Sequence, residues 1–412
     1  MIGKNNAAKQ TLKFKLDLLL DITRTINDNQ PVEILLDKFT HILRNHLKIG
    51  KVVMYKNDHN QWTCLLNSGA FPEVIDAIEV ERDLLSFTEI TLVVSDEKLL
   101  PGFDIVIPVY NNNVPIAYVL IGDIEEEMEG ISPVIKHLQY IQTISNIIVV
   151  AIENIRLFQD SLQQEAIRKE LELASQMQNM LIPATHNLPN NDRIRLASFY
   201  KPHYEVGGDY FDCIRLSNDE IGFCVADVSG KGLAAALMMS NFQATLRALF
   251  TSDITLNTLL QKLNKRVAES AQCEKFITLF IARYNMVTHQ LEYVNAGHPS
   301  ALLYHTTSRQ LDLLESSTIA VGMLEELPVV NVHRAVIDEH SLLLSYTDGM
   351  VEVVSETNEG EVDSAFYVLE NAIRNSPDIE TTVETIIEAQ NLRGTNKAIF
   401  DDITLLGIEF LS

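Results

Sequence analysis

Cysteine is scarce. The four in 412 residues, Cys64, Cys213, Cys224 and Cys273, fall into no CxxC or other zinc spacing and no secretory disulfide framework. They are expected to be reduced thiols in the core. Basic charge is short as well: 32 Lys and Arg against 56 Asp and Glu leave a net charge of −24, which repels nucleic-acid phosphates and anionic lipid. Neither nucleic acid nor membrane is therefore expected as a partner. Long apolar runs are missing, since Ile147–Ile152 and Leu233–Met239 fall well short of the ~20 residues that cross a bilayer. The first residues, MIGKNNAAKQ, are polar and lack the continuous apolar core of a signal peptide, so a cytoplasmic location is expected. No repeat or low-complexity tract occurs, and no Cys-His or Ser-His constellation suggests a side-chain nucleophile.

What is present is enough chain for two or three domains, with 46% hydrophobic and 21% charged residues, a balance that fits a folded soluble protein. From about Thr11 to Leu47 apolar residues recur at helical spacing, broken near Asn29-Gln30-Pro31, which predicts a helix pair. Strand-like runs follow in KVVMYK, WTCLL, FDIVIPVY and PIAYVLIGDI, the last two joined by Asn111-Asn112-Asn113, a hairpin signal. A helical pattern then runs from near Val134 to Ile182 without Gly or Pro and stops at Pro183. Along it Ile148, Ile152, Ile155, Leu162 and Ala166, then Leu171, Ala174, Gln178 and Leu181, form a stripe. Such a stripe suits a coiled coil or a helix laid on a domain. Its length favours a dimeric connector.

From Arg193 onward the pattern changes to short strands, with helices at Gly232–Phe250, about Leu256–Ser270 and about Asp363–Asn391. This predicts a layered α+β domain of two face-to-face sheets flanked by helices. Four aspartates punctuate those strands: Asp209 in GGDYFD, Asp227 after IGFCVA, Asp348 after SLLLSYT and Asp401 before ITLLGIEF. If one strand's end lies beside its neighbour's start, the carboxylates gather on one sheet edge. Gathered carboxylates repel one another unless a cation shares the space, and an oxygen-only set selects a hard ion such as Mg²⁺ or Mn²⁺.

Each motif also has a plainer reading. Gly207-Gly208-Asp209 is a common turn, and Asp348-Gly349 is another. GGDYFD superficially resembles the Gly-Gly-Asp-Glu-Phe signature of diguanylate cyclases, but Tyr210 replaces the Glu. Asp227 or Ser229 could simply cap the helix after Gly232. The Gly230-Lys231 pair invites a P-loop reading that fails, because Val225 stands at the first Gly and Gly232 at the Ser/Thr. Asp212 and Asp402 adjoin the four aspartates as further metal-facing or supporting groups, and His298 in NAGHPSALLY is a turn histidine with a supporting role.

Taken in order, ELELASQMQNMLIP, YKPHYEVGGDYFD, ADVSGKG, NAGHPSALLY, the TDG of SYTDGMVE and DDITLL resemble the PPM-type metal-dependent serine/threonine protein phosphatases of the RsbU/SpoIIE branch. The N-terminal part is similar to a GAF domain by pattern, without the signature of a cyclic-nucleotide-binding one. The resemblance implies an α+β multidomain chain: a GAF-like α/β sensor at 1–150, a linker helix and coiled coil at 151–185, and a PPM-type α-β-β-α phosphatase domain at 186–412. It implies two Mn²⁺ or Mg²⁺ ions, with Asp209, Asp227 and the Val228 carbonyl flanking them and Asp348 and Asp401 completing the first ion's shell. The nucleophile would be a metal-bridging water, with no catalytic side chain. Further implied are a phosphorylated anti-anti-sigma (STAS) substrate, a homodimer through the linker helix, and a small-molecule or protein signal at the GAF-like domain. The branch is expected to lack a phosphate-gripping Arg, and His203 stands where relatives often carry a small residue. The competing reading is a catalytically silent scaffold that binds phosphoproteins.

Overall fold

The computed structural model describes residues 2–58, 61–93, 100–124, 133–184, 187–271, 274–352, 362–394 and 399–411. It divides into two compact units, 1–166 and 167–412. In the first, α1 (Ile2–Asn27) and α2 (Val32–His41, continued by a π turn at Ile42–His46) form the expected helix pair. Asn29 at φ 50° and Pro31 make the break between them. The strands β1 (Ile49–Asp58), β2 (Gln61–Ser68), β3 (Thr91–Leu92), β4 (Ile105–Asn111) and β5 (Val114–Ile124) build one antiparallel sheet in the order β2-β1-β5-β4-β3. Asn112 and Asn113, both at positive φ (46° and 66°), turn the β4–β5 hairpin with the twist its strands require.

Alternation along these strands splits the sheet's faces. Val52, Met54, Ile107 and Val119 pack with Leu35 and Phe39 of α2, whereas Val53, Tyr55, Val106, Tyr118 and Leu120 form a second cluster with Ile78, Val80 and Leu84. Ile78 lies between the short helices α3 (Pro72–Asp76) and α4 (Val80–Asp83), Val80 opens α4 and Leu84 follows it. The long helix α5 (Pro133–Asn179, 47 residues) supplies Ile141, Ile144, Ile148 and Ile152 to the first cluster. Buried Lys56 of β1 pairs with Glu153 of α5 at 2.8 Å. The start of the predicted stripe is thus absorbed by a core, while Leu157, Phe158, Leu162, Ile167 and Leu173 are exposed. By length and composition alone, α5 over His137–Asn179 could cross a membrane, and its most apolar window is 39% buried.

The second unit holds two five-stranded antiparallel sheets. One runs β13-β10-β9-β8-β7, from β7 (Tyr210–Arg215), β8 (Glu220–Val228), β9 (Ile277–Asn285), β10 (Gln290–Ala296) and β13 (His333–Val336). The other runs β12-β11-β14-β15-β6, from β6 (Ile194–Lys201), β11 (Ala301–His305), β12 (Gln310–Leu314), β14 (Ser341–Tyr346) and β15 (Ile403–Phe410). Leu343, Leu406 and Ile408 of the second sheet share a core with Val225 and Phe280 of the first. Their strand neighbours Leu342, Leu344 and Leu405 face the opposite way, onto α8 (Val362–Asn375) and α9 (Ile379–Ala389). Helices α6 (Leu233–Leu249) and α7 (Leu256–Ala271) cover the first sheet with Met239, Phe242, Leu259 and Leu263. The layer order is α-β-β-α.

Two expectations need correction. The single helix expected over Asp363–Asn391 is two, because Pro377 ends α8's path and Asp378 caps α9, accepting the Thr381 N–H at 2.7 Å. Cys64 is exposed on the edge strand β2 rather than in a core, while Cys224 is buried and Cys213 half-buried. Cys273 lies outside the described residues.

Candidate metal centre

The turn Val206–Asp209 enters β7 directly beside the end of β8. Space there is close at glycine: a Cβ on Gly208 would stand 3.0 Å from the Val228 carbonyl oxygen, tighter than a side chain ordinarily packs, so glycine eases the backbone's approach to that carbonyl. Asp209 is buried, and its Oδ2 accepts from the hydroxyls of Thr347 (2.8 Å) and Thr404 (2.6 Å). Asp402, also buried, braces the same turn: Oδ1 accepts the His203 N–H at 2.7 Å, and Oδ2 accepts the N–H groups of Gly208 (2.5 Å) and Asp209 (3.4 Å).

The other three carboxylates surround this floor. Asp227 lies near the end of β8, opposite Thr278 of β9, and is half-buried. Asp348 opens a 3₁₀ turn (Asp348–Met350) two residues past β14 and is exposed at the rim, and half-buried Asp401 stands two residues before β15. The cluster therefore does not sit on one sheet edge as expected. It draws Asp209 and Asp227 from the first sheet and Asp348 and Asp401 from the second, across the mouth between the sheets.

Neither Asp227 nor Ser229 caps α6, whose N-cap is Gly232 at φ 76° with no side-chain bond; Ser229 Oγ accepts the Phe276 N–H instead. Asp212 stands apart from the cluster, fully buried, where it takes two hydrogen bonds from the Arg247 guanidinium (2.7 and 2.9 Å) and one from the Tyr210 hydroxyl. His298 is buried with Nδ1 2.9 Å from the Thr278 hydroxyl, and burial lowers its pKa to about 3. It is a neutral pin between strands and carries no charge at physiological pH.

Electrostatics gives the cluster its chemistry. Burial pushes Asp227 up to about 7, and the facing charges of Asp348 and Asp401 push it the same way against a relieving hydrogen bond with Asp209. Asp209 is raised well above the usual carboxylate range by burial and by Asp227 and Asp402, with the two threonine hydroxyls pulling it back. Asp348 is raised by desolvation and by Asp401. Among the described residues the one cation in contact is the Lys231 ammonium, 2.8 Å from Asp401 Oδ2 and also donating to the Phe400 carbonyl. Among the described residues no three His, Cys, Asp or Glu side chains are closed up tightly enough to hold an ion as they stand. The donor set, carboxylate and carbonyl oxygen only, nevertheless fits a hard divalent ion.

Residues 217–411, which carry three of the four predicted aspartates together with Asp402, match the family "Stage II sporulation protein E (SpoIIE)". The C-terminal unit carries a SpoIIE-type PPM phosphatase domain. Among relatives of this domain, the phosphoserine phosphatase RsbU of Bacillus subtilis is 24% identical over 245 residues, 59% of this chain and 70% of its own. The phosphoserine phosphatase RsbP of the same organism is 25% identical over 189 residues, 45% of this chain and 46% of its own. The chain thus spans less than half of RsbP. Among solved structures, the SiaA-PP2C domain of Pseudomonas aeruginosa is similar at 20% identity and a TM-score of 0.49, covering 61% of this chain and 98% of that domain. The SpoIIE-type domain belongs to a class of metal-dependent protein serine phosphatases.

Sequence reading missed the residues that hold the aspartates. Thr347 and Thr404 sit one and two residues from Asp348 and Asp402 in YTDG and DDIT, a signal available but unread. Lys231 and Gln178 were seen only as parts of a motif and a stripe.

Proposed function

We propose that the chain is a signal-regulated serine/threonine protein phosphatase that hydrolyses a phosphoserine or phosphothreonine protein, with a phosphorylated anti-anti-sigma (STAS) protein as substrate. The observation that carries this reading is the convergence of Asp209, Asp227, Asp348 and Asp401 on one mouth with Asp227 pushed up to about 7, inside a domain of SpoIIE type. Such a costly acidic group is kept for chemistry rather than for packing. Asp209, Asp227, Asp348, Asp401 and the Val228 carbonyl would hold two Mn²⁺ or Mg²⁺ ions. When bound, the ions would lower the pKa of water and neutralise charge on the transferring phosphoryl group.

The chain's own residues do the rest. Thr347 and Thr404 orient Asp209, Asp402 fixes the turn that carries it, and Gly208 keeps the Val228 carbonyl uncovered. Lys231 holds positive charge against Asp401 at the rim, and no side chain serves as nucleophile.

The assignment of 1–150 to a GAF-like sensor, 151–185 to a linker helix and 186–412 to the phosphatase domain belongs to the same proposal. The helix pair, hairpin and exit helix on which the GAF likeness rests are all present. The exposed apolar residues of α5 past its core contacts, Leu157, Phe158, Leu162, Ile167 and Leu173, support a homodimer through that helix. A small-molecule or protein signal at the first unit and a cytoplasmic setting complete the proposal.

The test is Mn²⁺-dependent phosphate release from a phosphoserine protein by the full chain, beside Asp227→Asn and Asp348→Asn. Activity in the wild type and its loss in both folded variants is the expected result. A folded wild type inactive with every divalent metal would instead favour the phosphoprotein-binding scaffold.

A further inference from the structure

The last turn of α5 reaches into the metal centre's scaffold. Gln178, one residue before the helix ends, is 6% exposed, while its neighbours Met177 and Met180 are 70% and 82% exposed. Its Nε2 donates to the Gly207 carbonyl at 2.6 Å and its Oε1 accepts the Gly207 N–H at 3.1 Å. One side-chain amide therefore satisfies both backbone groups of a buried residue. The next two N–H groups, of Gly208 and Asp209, go to Asp402. Three consecutive residues ending in Asp209 are thus gripped from two sides, by the end of α5 and by the approach to β15. Gly207 leaves no slack, since a Cβ there would lie 2.5 Å from both Asp402 Oδ2 and the Tyr200 hydroxyl.

We infer that Gln178 is a positioning residue for the metal centre: through its two bonds to Gly207, the end of α5 sets where Asp209 stands and hence how tightly the centre holds a divalent cation. The inference rests on the reading of Asp209 as a ligand. The side chain suits the task on chemical grounds. A primary amide presents one donor and one acceptor in a plane, matching the carbonyl and N–H of Gly207, whereas a carboxylate can only accept and an aliphatic chain does neither. Being neutral, it adds nothing to the repulsion among the aspartates. Because hydrogen bonds weaken steeply with distance and angle, a small shift or rotation of the helix end would release Gly207. Asp209 would then be held by Asp402 and the two threonines alone.

The experiment titrates the full-length wild type, Gln178→Leu, Gln178→Glu and Met177→Ala with Mn²⁺. It reads the binding isotherm by calorimetry, the metal-induced rise in Tm, and phosphate release at each Mn²⁺ concentration. Gln178→Leu should weaken Mn²⁺ binding by about tenfold or more, the scale seen when a residue supporting a metal ligand is removed. The Mn²⁺ concentration for half-maximal activity should rise in proportion, while turnover at saturating Mn²⁺ returns to near the wild-type value. Gln178→Glu, which fills the same volume and keeps the acceptor, should fall between, and it decides the matter if the Leu variant does not fold. Met177→Ala, one residue away on the exposed face, should bind as the wild type does. Unchanged Mn²⁺ affinity in the Gln178 variants, or a loss of turnover that excess Mn²⁺ fails to restore, overturns the inference. A wild type that binds Mn²⁺ but releases no phosphate defeats the phosphatase reading while the calorimetric comparison still judges Gln178; one that binds no Mn²⁺ defeats both.

Discussion

Asp227 holds its proton to about pH 7 in the folded chain, whereas an unfolded aspartate gives it up near pH ~4. Between those values the folded state binds more protons than the unfolded one, so this group makes metal-free stability fall as pH rises through about 7 and flatten by about pH 8. His298, lowered to about 3, acts in the opposite sense up to about pH 6.5, where an unfolded histidine loses its proton. The carboxylate signature is therefore cleanest from about pH 6.5 to 8. There the Tm of metal-free protein should decline, Asp227→Asn should flatten the decline, and saturating Mg²⁺ should raise Tm more at pH 8 than at pH 6.5. A metal-free Tm that climbs through this window would contradict the assignment. Asp402→Ala should cost about 1–3 kcal/mol in urea unfolding by stranding the buried N–H groups it now satisfies; a cost within error of zero would mean water replaces it freely. Asp401 and Asp402 show what sequence can and cannot tell at this scale. DDITLL announces two carboxylates before a strand, but one faces the rim beside Lys231 and the other lies buried under the Gly207–Asp209 turn. That distinction depends on a loop almost two hundred residues away.

Among elements, α6 is tied to β7 by a single charged link, Arg247 to the fully buried Asp212. Arg247→Met would leave a buried carboxylate with only the Tyr210 hydroxyl and the Cys213 N–H, at a cost on the order of 3 kcal/mol. Adding Asp212→Asn should recover part of that loss, and strict additivity of the two changes in urea unfolding would rule the pair out as a unit. Element types were largely legible because they rest on local pattern: the helix pair, the Asn-turned hairpin, the unbroken α5 and the short, fully buried apolar runs of β14 and β15 all follow from near neighbours. The exception at α8 and α9 was local too, since Pro377 is a breaker inside an otherwise helical pattern. Which sheet each strand joins was not legible. β8 pairs with β9 across the two helices α6 and α7, and β15 pairs with β6 across almost the whole unit. For this reason the four aspartates were expected on one edge and instead face each other across two sheets.

For the molecule as a whole, two cores with separate clusters predict two calorimetric transitions for the intact chain rather than one. Only the transition of the unit bearing the aspartates should move upward with added Mn²⁺ or Mg²⁺, by mass action on the folded form. A single transition, or a shift of both together, would mean the units melt as one. The net charge of −24 adds that affinity for divalent ions should weaken as monovalent salt screens the surface. The long helix has a further consequence. Its 47 residues contain no glycine and no proline after the first, so over about 70 Å it is a torsion rod in which every residue carries a fixed phase of about 100°. One residue inserted within its exposed stretch, near Leu162, would turn the two ends by that angle about the axis. Seven inserted residues would restore the phase to within about 20° while lengthening the rod by about 10 Å. If the two units communicate through this helix, regulation should be lost with one inserted residue and return with seven, so that the response of phosphatase activity follows angle rather than distance.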